Sequence, residues 1–225
     1  MNNITNWLLA IIIVLLLGGG VYWIYTNQNP RYTNTNSNTT SDSSTTAATD
    51  TKDLPKLSME INEADHKLGP DDAPVKLVEY ADFQCPACKQ LSPTFMSMAD
   101  KFPGQVQFVY RHFPLSYHPL SKDAARIAEG AAEQGKFFEM AEYFFTTSDF
   151  TIDSAYEHAA SLGLDIDKIK SDVAAGKYDA AIDKDYNSGQ ESGVAGTPTL
   201  YMNGTQLSWE DTTGLENTIK KALGE

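Results

Sequence analysis

Cysteine is nearly absent. The 225-residue chain has two, Cys85 and Cys88, which excludes a disulfide-rich scaffold. A bridge across two intervening residues closes too small a loop to restrain the unfolded chain much. A structural zinc site usually takes four Cys or His ligands, and the four histidines (His66, His112, His118 and His158) show no second ligand pair in the sequence, so no metal site is expected. A lone C-x-x-C leaves redox chemistry as the leading reading, with metal binding or coincidence as the alternatives. Basic residues are also scarce, 17 Lys and Arg against 30 Asp and Glu, for a formal net charge of -13. So acidic a surface repels phosphate backbones, and nucleic acid is not expected as a partner. The acidic balance by itself names no other partner.

Residues 1–30 lack any charged side chain, and within them 7–25 read WLLAIIIVLLLGGGVYWIY. As a helix these residues would rise about 28 Å, close to the hydrocarbon thickness of a bilayer. Trp7 stands at one end, with Tyr22, Trp23 and Tyr25 at the other, where amphipathic rings meet the two interfaces. No Lys or Arg precedes the run and no A-x-A-like site follows it. Residues 1–25 are therefore expected to be an uncleaved signal anchor rather than a cleaved signal peptide. Residues 26–56 follow, rich in Thr, Ser and Asn. With few apolar side chains to bury they read as a flexible linker spanning roughly 30 Å as a coil. Arg31 just after the run votes for a cytoplasmic side by the positive-inside rule, but stalks of this composition are common on cell surfaces. The expectation is a single-pass cell-membrane protein with its domain outside the cytoplasm.

Residues 57–225 remain, enough for one full core. Val75 to Tyr80 read as a buried strand, 89–101 as a helix with Leu91, Phe95 and Met98 on one face and a kink at Pro93, and 106–110 as a second strand. This is a β-α-β unit. The middle is helical. Ala124, Ala125, Ile127, Ala128, Ala131 and Ala132 form one apolar stripe, and Phe137, Phe138, Met140, Ala141, Phe144 and Phe145 form another. Shorter helices are expected at about 153–162, 165–175 and 178–191. These stripes read as packed core; no cofactor box is needed. Asn203-Gly204 between 199–202 and 205–207 predicts a type I′ hairpin, and a closing helix runs from about 213 to 223.

The attacking species in disulfide exchange is a thiolate. A helix beginning just after Cys85 aims its free first-turn N–H groups at that sulfur and lowers its pKa. Pro86 fits the first helical position. Cys88, one turn on, is shielded. Cys85 is thus expected to be the exposed sulfur that exchanges with substrate, and Cys88 the resolving one.

The segment Phe83-Gln84-Cys85-Pro86-Ala87-Cys88 after VKLVEYAD resembles the active site of the thioredoxin superfamily. The run RHFPLSYHPLSKDAARIAEGAAEQGKFFEMAEYFF resembles the start of the helical insertion of DsbA-like proteins. Residues 193–199, GVAGTPT, resemble their cis-proline loop. Over about 59–225 the resemblance implies an α/β thioredoxin fold with an inserted helical domain at about 115–192. It implies a cis Pro198 beside the cysteines and a Thr197 backbone free to pair with an extended substrate. Glu79 would be an acid buried beneath the pair that relays protons to and from Cys88; a solvent-facing strand position is the alternative. The most oxidising members carry His where Ala87 stands. Cys85 is therefore expected to titrate between the ~7 of thioredoxin and the ~3.5 of DsbA, as a milder oxidant. The implied function is an oxidase that introduces disulfides into secreted or surface proteins. Its only redox group would be the Cys85–Cys88 disulfide, reoxidised by a membrane quinone-linked partner, with no bound cofactor. A reductase or isomerase, a non-catalytic tethered chaperone module and a metal-binding protein are the alternatives.

Overall fold

Two hydrophobic strands with alternating faces set the architecture. In a computed structural model, which describes residues 54–225, β1 (His66–Leu68) is followed by β2 (Val75–Ala81), α1 (Pro86–Lys101) and β3 (Val106–His112). Strands β2 and β3 pair in parallel, from Val75 opposite Val106 to Ala81 opposite His112, with α1 as the crossover that parallel pairing requires. Five helices come next: α2 (Ser121–Ala132), α3 (Phe137–Thr146), α4 (Ile152–Ser161), α5 (Ile166–Ala174) and α6 (Asp179–Glu191). They occupy the stretch expected for the insertion. The chain returns with β4 (Thr199–Met202), β5 (Thr205–Gln206), α7 (Trp209–Thr213) and α8 (Leu215–Leu223). The sheet order is β1-β3-β2-β4-β5.

Side chains two apart share a face of a strand. Val75, Leu77 and Ala81 of β2 and Val106, Phe108 and Tyr110 of β3 point to one side, into a core with Phe95 and Met98 of α1, Ile127 of α2, Met140 and Phe144 of α3, and Ile219 of α8. Burial of each Val, Leu, Ile, Phe or Met among them contributes roughly 1.5–3 kcal/mol. Glu79 and His112 belong to this face by the same alternation. The opposite face holds Val78, Tyr80, Val109 and Tyr201, with Phe113 and Val194. There the fully buried Arg111 forks onto Asp65 at 2.9 and 3.1 Å and donates to the carbonyls of Met59 and Glu60 and to the Tyr80 hydroxyl. That clamp ties residues 59–65 to the sheet.

Several boundaries differ from the sequence reading. Helix α1 starts at Pro86, directly after Cys85 as expected, ahead of the periodic stretch read from 89, and continues past Pro93 as one element. Strand β1 was not anticipated, because three residues are too few to show a period. The closing helix expected at about 213–223 is α8, and a short helix that was not anticipated, α7, precedes it across Gly214. At the hairpin, Asn203 and Gly204 both have positive φ, 49° and 79°, as a type I′ turn requires. The linker expected at 26–56 overlaps the fold at its end. Lys56 bridges to Thr205, and the Pro55 carbonyl accepts from the Gln206 amide at 2.9 Å, because the outer edge of the hairpin offers unpaired backbone groups. The expected anchor at 1–25 and the linker up to residue 53 lie outside the described residues. Among those described, no helix is long and apolar enough to cross a membrane.

Candidate active site

Strand β2 ends at Ala81, and the chain turns at once into α1. The Asp82 carboxylate accepts from the Gln84 amide at 2.7 Å while the Asp82 carbonyl accepts from the Cys85 amide at 3.0 Å. This tight turn sets Cys85 at the N-cap of α1, with Pro86 in the first turn. No side chain caps the helix and its first turn holds no acid, so the amides of Ala87 and Cys88 are free to bond the Cys85 sulfur. Pro86 is exposed and Ala87 half-buried at the rim.

Both cysteines are free thiols. The Cys88 thiol and the amides of Cys88 and Ala87 hydrogen-bond the Cys85 sulfur and, against the effect of burial, hold its pKa down to about 5. That value falls between those of thioredoxin (~7) and DsbA (~3.5). Burial pushes the Cys88 thiol well above its ordinary value, and its hydrogen bond to Cys85 and the nearby Glu79 add to the effect. One difference from expectation stands out: Cys85 is not an exposed sulfur. It is only 6% exposed against 0% for Cys88, because the Thr197 segment lies over it and its thiol donates to the Thr197 carbonyl at 3.2 Å. It remains the more accessible of the two.

The Thr197–Pro198 peptide is cis. The Thr197 hydroxyl is buried without a hydrogen-bond partner. Glu79 is fully buried, so the solvent-facing alternative does not hold. Ser92 of α1 donates to its Oε1 at 2.5 Å, and Oε2 has no partner. Burial raises its pKa to about 8, against the Ser92 hydrogen bond, and the Cys85 charge raises it further. Among the described residues, the buried side-chain atoms without partners are Glu79 Oε2 and Thr197 Oγ1, one from each of two site residues. Unmet polar groups concentrated at one place mark a functional site more readily than a packing defect.

Sequence reasoning missed Asp82. It is buried, and besides Gln84 its carboxylate accepts from the Leu115 amide at 2.8 Å, from Nδ1 of His118 at 2.8 Å and from the Ser121 hydroxyl. It ties the cysteine loop to the start of the insertion. An acid at a strand end, three residues before the first cysteine, was the available signal. Across the Phe83 ring from the cysteine loop the fold also joins His66, His112 and Glu129, which lie up to 63 residues apart in sequence.

A family model described as thioredoxin matches residues 61–221. The chain belongs to the thioredoxin family. BdbD from Bacillus subtilis, in its oxidised form, superposes with a TM-score of 0.64 at 23% identity, over 76% of this chain and 97% of that one. A thioredoxin-like oxidoreductase from Silicibacter pomeroyi gives 0.64 at 25% identity, over 73% and 95%. The thiol-disulfide exchange protein alpha-DsbA2 from Wolbachia pipientis gives 0.60 at 18%. The fold is that of the DsbA-like thiol-disulfide oxidoreductases. Curated relatives include a protein named Na(+)/H(+) antiporter NhaA 1 from Mycobacterium sp. (strain KMS), 40% identical over 146 residues, 63% of this chain. The chain spans 24% of that relative's length.

Proposed function

We propose that the chain is an extracytoplasmic thiol-disulfide oxidoreductase that works as an oxidase, tethered to the cell membrane through residues 7–25 and the linker up to residue 56. One observation carries this reading: the two sulfurs are held apart in acidity, Cys85 down to about 5 and Cys88 well above its usual value. A stabilised thiolate favours the reduced pair, which makes the disulfide an oxidant.

In the reaction a substrate thiolate attacks Cys85 of the Cys85–Cys88 disulfide. A mixed disulfide forms and Cys88 leaves. The departing thiolate is the poorly solvated one, and Glu79, protonated near neutral pH and beside it, supplies the proton. A second substrate thiolate then attacks the substrate sulfur of the mixed disulfide, and Cys85 leaves as the low-pKa thiolate, the better leaving group. Two electrons have passed to the pair and the substrate holds a new disulfide. Thr197 and Pro198 hold an extended substrate segment beside Cys85 by backbone pairing. The substrates are secreted or surface protein thiols, and a membrane quinone-linked partner takes the electrons away. The antiport activity in the names of the longer relatives is not carried over to this chain.

Trapping the in-cell redox state of Cys85 and Cys88 with a thiol-reactive mass label tests the direction. An oxidase keeps the pair largely oxidised; a largely reduced pair means a reductase or isomerase. Function that survives Cys85→Ser/Cys88→Ser replacement would instead mark a chaperone module. Placement is tested by adding protease to cells with their outer barriers removed. Release of the domain by cutting in the linker supports it, and full protection until the membrane is lysed would refute it.

A further inference from the structure

Two histidines and a carboxylate far apart in sequence converge beside the insertion. His66 lies opposite Tyr110 in the β1–β3 ladder, and His112 is two residues beyond Tyr110 on β3. Register and alternation therefore place both imidazoles on the sheet face covered by α2. From that helix Glu129 reaches down between them: one oxygen, Oε1, lies 2.7 Å from Nε2 of His66 and 2.9 Å from Nε2 of His112. All three donor atoms lie within 4.8 Å of one another. The pocket wall is aromatic. Phe137 stacks on His66 with ring centroids 3.5 Å apart, while Tyr110 and Phe83 meet the His112 ring edge-on. The His112 side chain is buried, whereas those of His66 and Glu129 keep 15% exposure each, which leaves one approach from solvent.

We propose that His66, His112 and Glu129 form a binding site for a borderline divalent transition-metal ion, with zinc as the reference ion. Two imidazoles and one carboxylate are a ligand set that zinc takes with a fourth position left open to water. Zinc bonds of about 2.0–2.1 Å in a tetrahedron put neighbouring ligand atoms about 3.3 Å apart, so the Nε2–Oε1 contacts of 2.7 and 2.9 Å would open by roughly half an ångström, and the two Nε2 atoms already lie within 4.8 Å of one another. In the metal-free form the same atoms satisfy one another by hydrogen bonding, with each Nε2 donating to Glu129. Entry of the ion takes the Nε2 lone pair of each ring, and the ring's single proton then sits on Nδ1. The open position faces the half-buried edge of His66 and Glu129, the side from which the ion arrives. A bound ion would join β1, the end of β3 and the insertion helix α2 at a single point. Because His112 packs on Phe83, that point lies one ring away from the loop that carries Cys85.

The alternative is a purely hydrogen-bonded clip, and metal titration separates the two. The full chain is used in its oxidised form, so that the sulfurs of Cys85 and Cys88 are held in a disulfide, after stripping with a chelator. Co²⁺ is added and its visible d–d absorption followed; Zn²⁺ is then titrated in to displace it. The expected result is one equivalent of Co²⁺ with the intense bands of a four- or five-coordinate site, bleached by one equivalent of Zn²⁺. Loss of a partner that merely orients a metal ligand already costs roughly 10–100-fold in affinity, so His66→Gln, at the half-buried edge strand, should weaken Zn²⁺ binding by at least about 100-fold. Glu129→Gln should do the same, and His158→Gln, on α4, should change nothing. Circular dichroism confirms that each variant is folded, and His66→Gln is decisive should Glu129→Gln not fold. Absence of the Co²⁺ bands in the wild-type chain, their survival in His66→Gln, or their loss in His158→Gln would each overturn the site.

Discussion

Glu79 and Asp82 are buried carboxylates three residues apart at the end of the same strand, and they are provided for in opposite ways. Asp82 accepts from two backbone amides, an imidazole and a hydroxyl. Glu79 accepts from one hydroxyl and keeps an unpartnered oxygen. The sulfurs repeat the contrast. Cys85 is surrounded by donors and its pKa falls to about 5, while Cys88 is dominated by burial and its pKa rises. Burial alone therefore does not decide what a polar group does in this protein; the supply of hydrogen-bond donors does. Asp82, with four donors, is a tie between the cysteine loop and the insertion, while Glu79, with one, changes its protonation close to working pH.

The largest effect expected from breaking this contrast is at Asp82. Asp82→Ala strands the buried donors of the turn and of the insertion, and should cost about 3 kcal/mol or more. Denaturant unfolding measures it, and a loss under about 1 kcal/mol would mean that water replaces the carboxylate.

Glu79 is expected to act through pH. Its folded pKa, about 8, is raised above the ordinary 4.5, so between those values the folded state holds a proton that the unfolded state has lost. Its contribution is fully present below about 4.5 and is lost as pH rises towards 8, by up to ~1.4 kcal/mol per pH unit. The oxidised protein is the right sample, because in the reduced one the depressed Cys85 pKa gives a slope of opposite sign; without the Cys85 charge the Glu79 window ends below 8 but is still opened by burial. Glu79→Gln should flatten the curve. Equal slopes in both proteins would place the titration on another group.

Smaller shifts are expected at the sulfurs. The Cys88 thiol is the largest contributor to the low Cys85 pKa, so Cys88→Ala should raise that pKa by about one unit or more. Cys88→Ser, which keeps a donor, should raise it less. Thiolate absorbance against pH reads both, and a Cys88→Ala protein still titrating near 5 would assign the shift to the helix amides instead. Cys88→Ser should also accumulate mixed disulfides with secreted proteins where Cys85→Ser does not.

The smallest change is at Ala87. An imidazole there adds one donor to a sulfur already well supplied. Ala87→His should lower the Cys85 pKa further and move the potential towards oxidising by about 30 mV per pKa unit. Equilibration against glutathione buffers measures it; an unchanged or more reducing potential would mean that the dipeptide does not set the poise.

What the sequence made legible was local. The Cys85–Pro86 helix start, the Asn203-Gly204 hairpin and the two strands each follow from a few adjacent residues. Glu79 and Pro198 were legible through the resemblance to a family. The rest depends on partners distant along the chain. Nothing near Asp82 announces Leu115, His118 and Ser121, and nothing near His66 announces Glu129, 63 residues on. Those groups share a location only because β1 pairs with β3 beneath α2, and a three-residue strand leaves no periodic trace. Exposure of Cys85 was misjudged for the same reason, since its cover comes from Thr197.

The contact between Cys85 and the Thr197 carbonyl joins residues 112 apart in the chain, and this has a consequence in time as well as in space. A growing chain acquires both cysteines and α1 long before the segment that covers them. Until residues 197–202 arrive, β2 offers an open edge where Glu79 will sit opposite Leu200, and Cys85 has its helix amides but no lid. Closures between such distant residues are slow and come late in folding. The protein thus passes through a stage in which its most reactive atom is formed but unguarded, beside an unpaired strand edge that invites other chains. During that interval the thiol can react with any oxidant or disulfide it meets, and selectivity begins only when the lid closes.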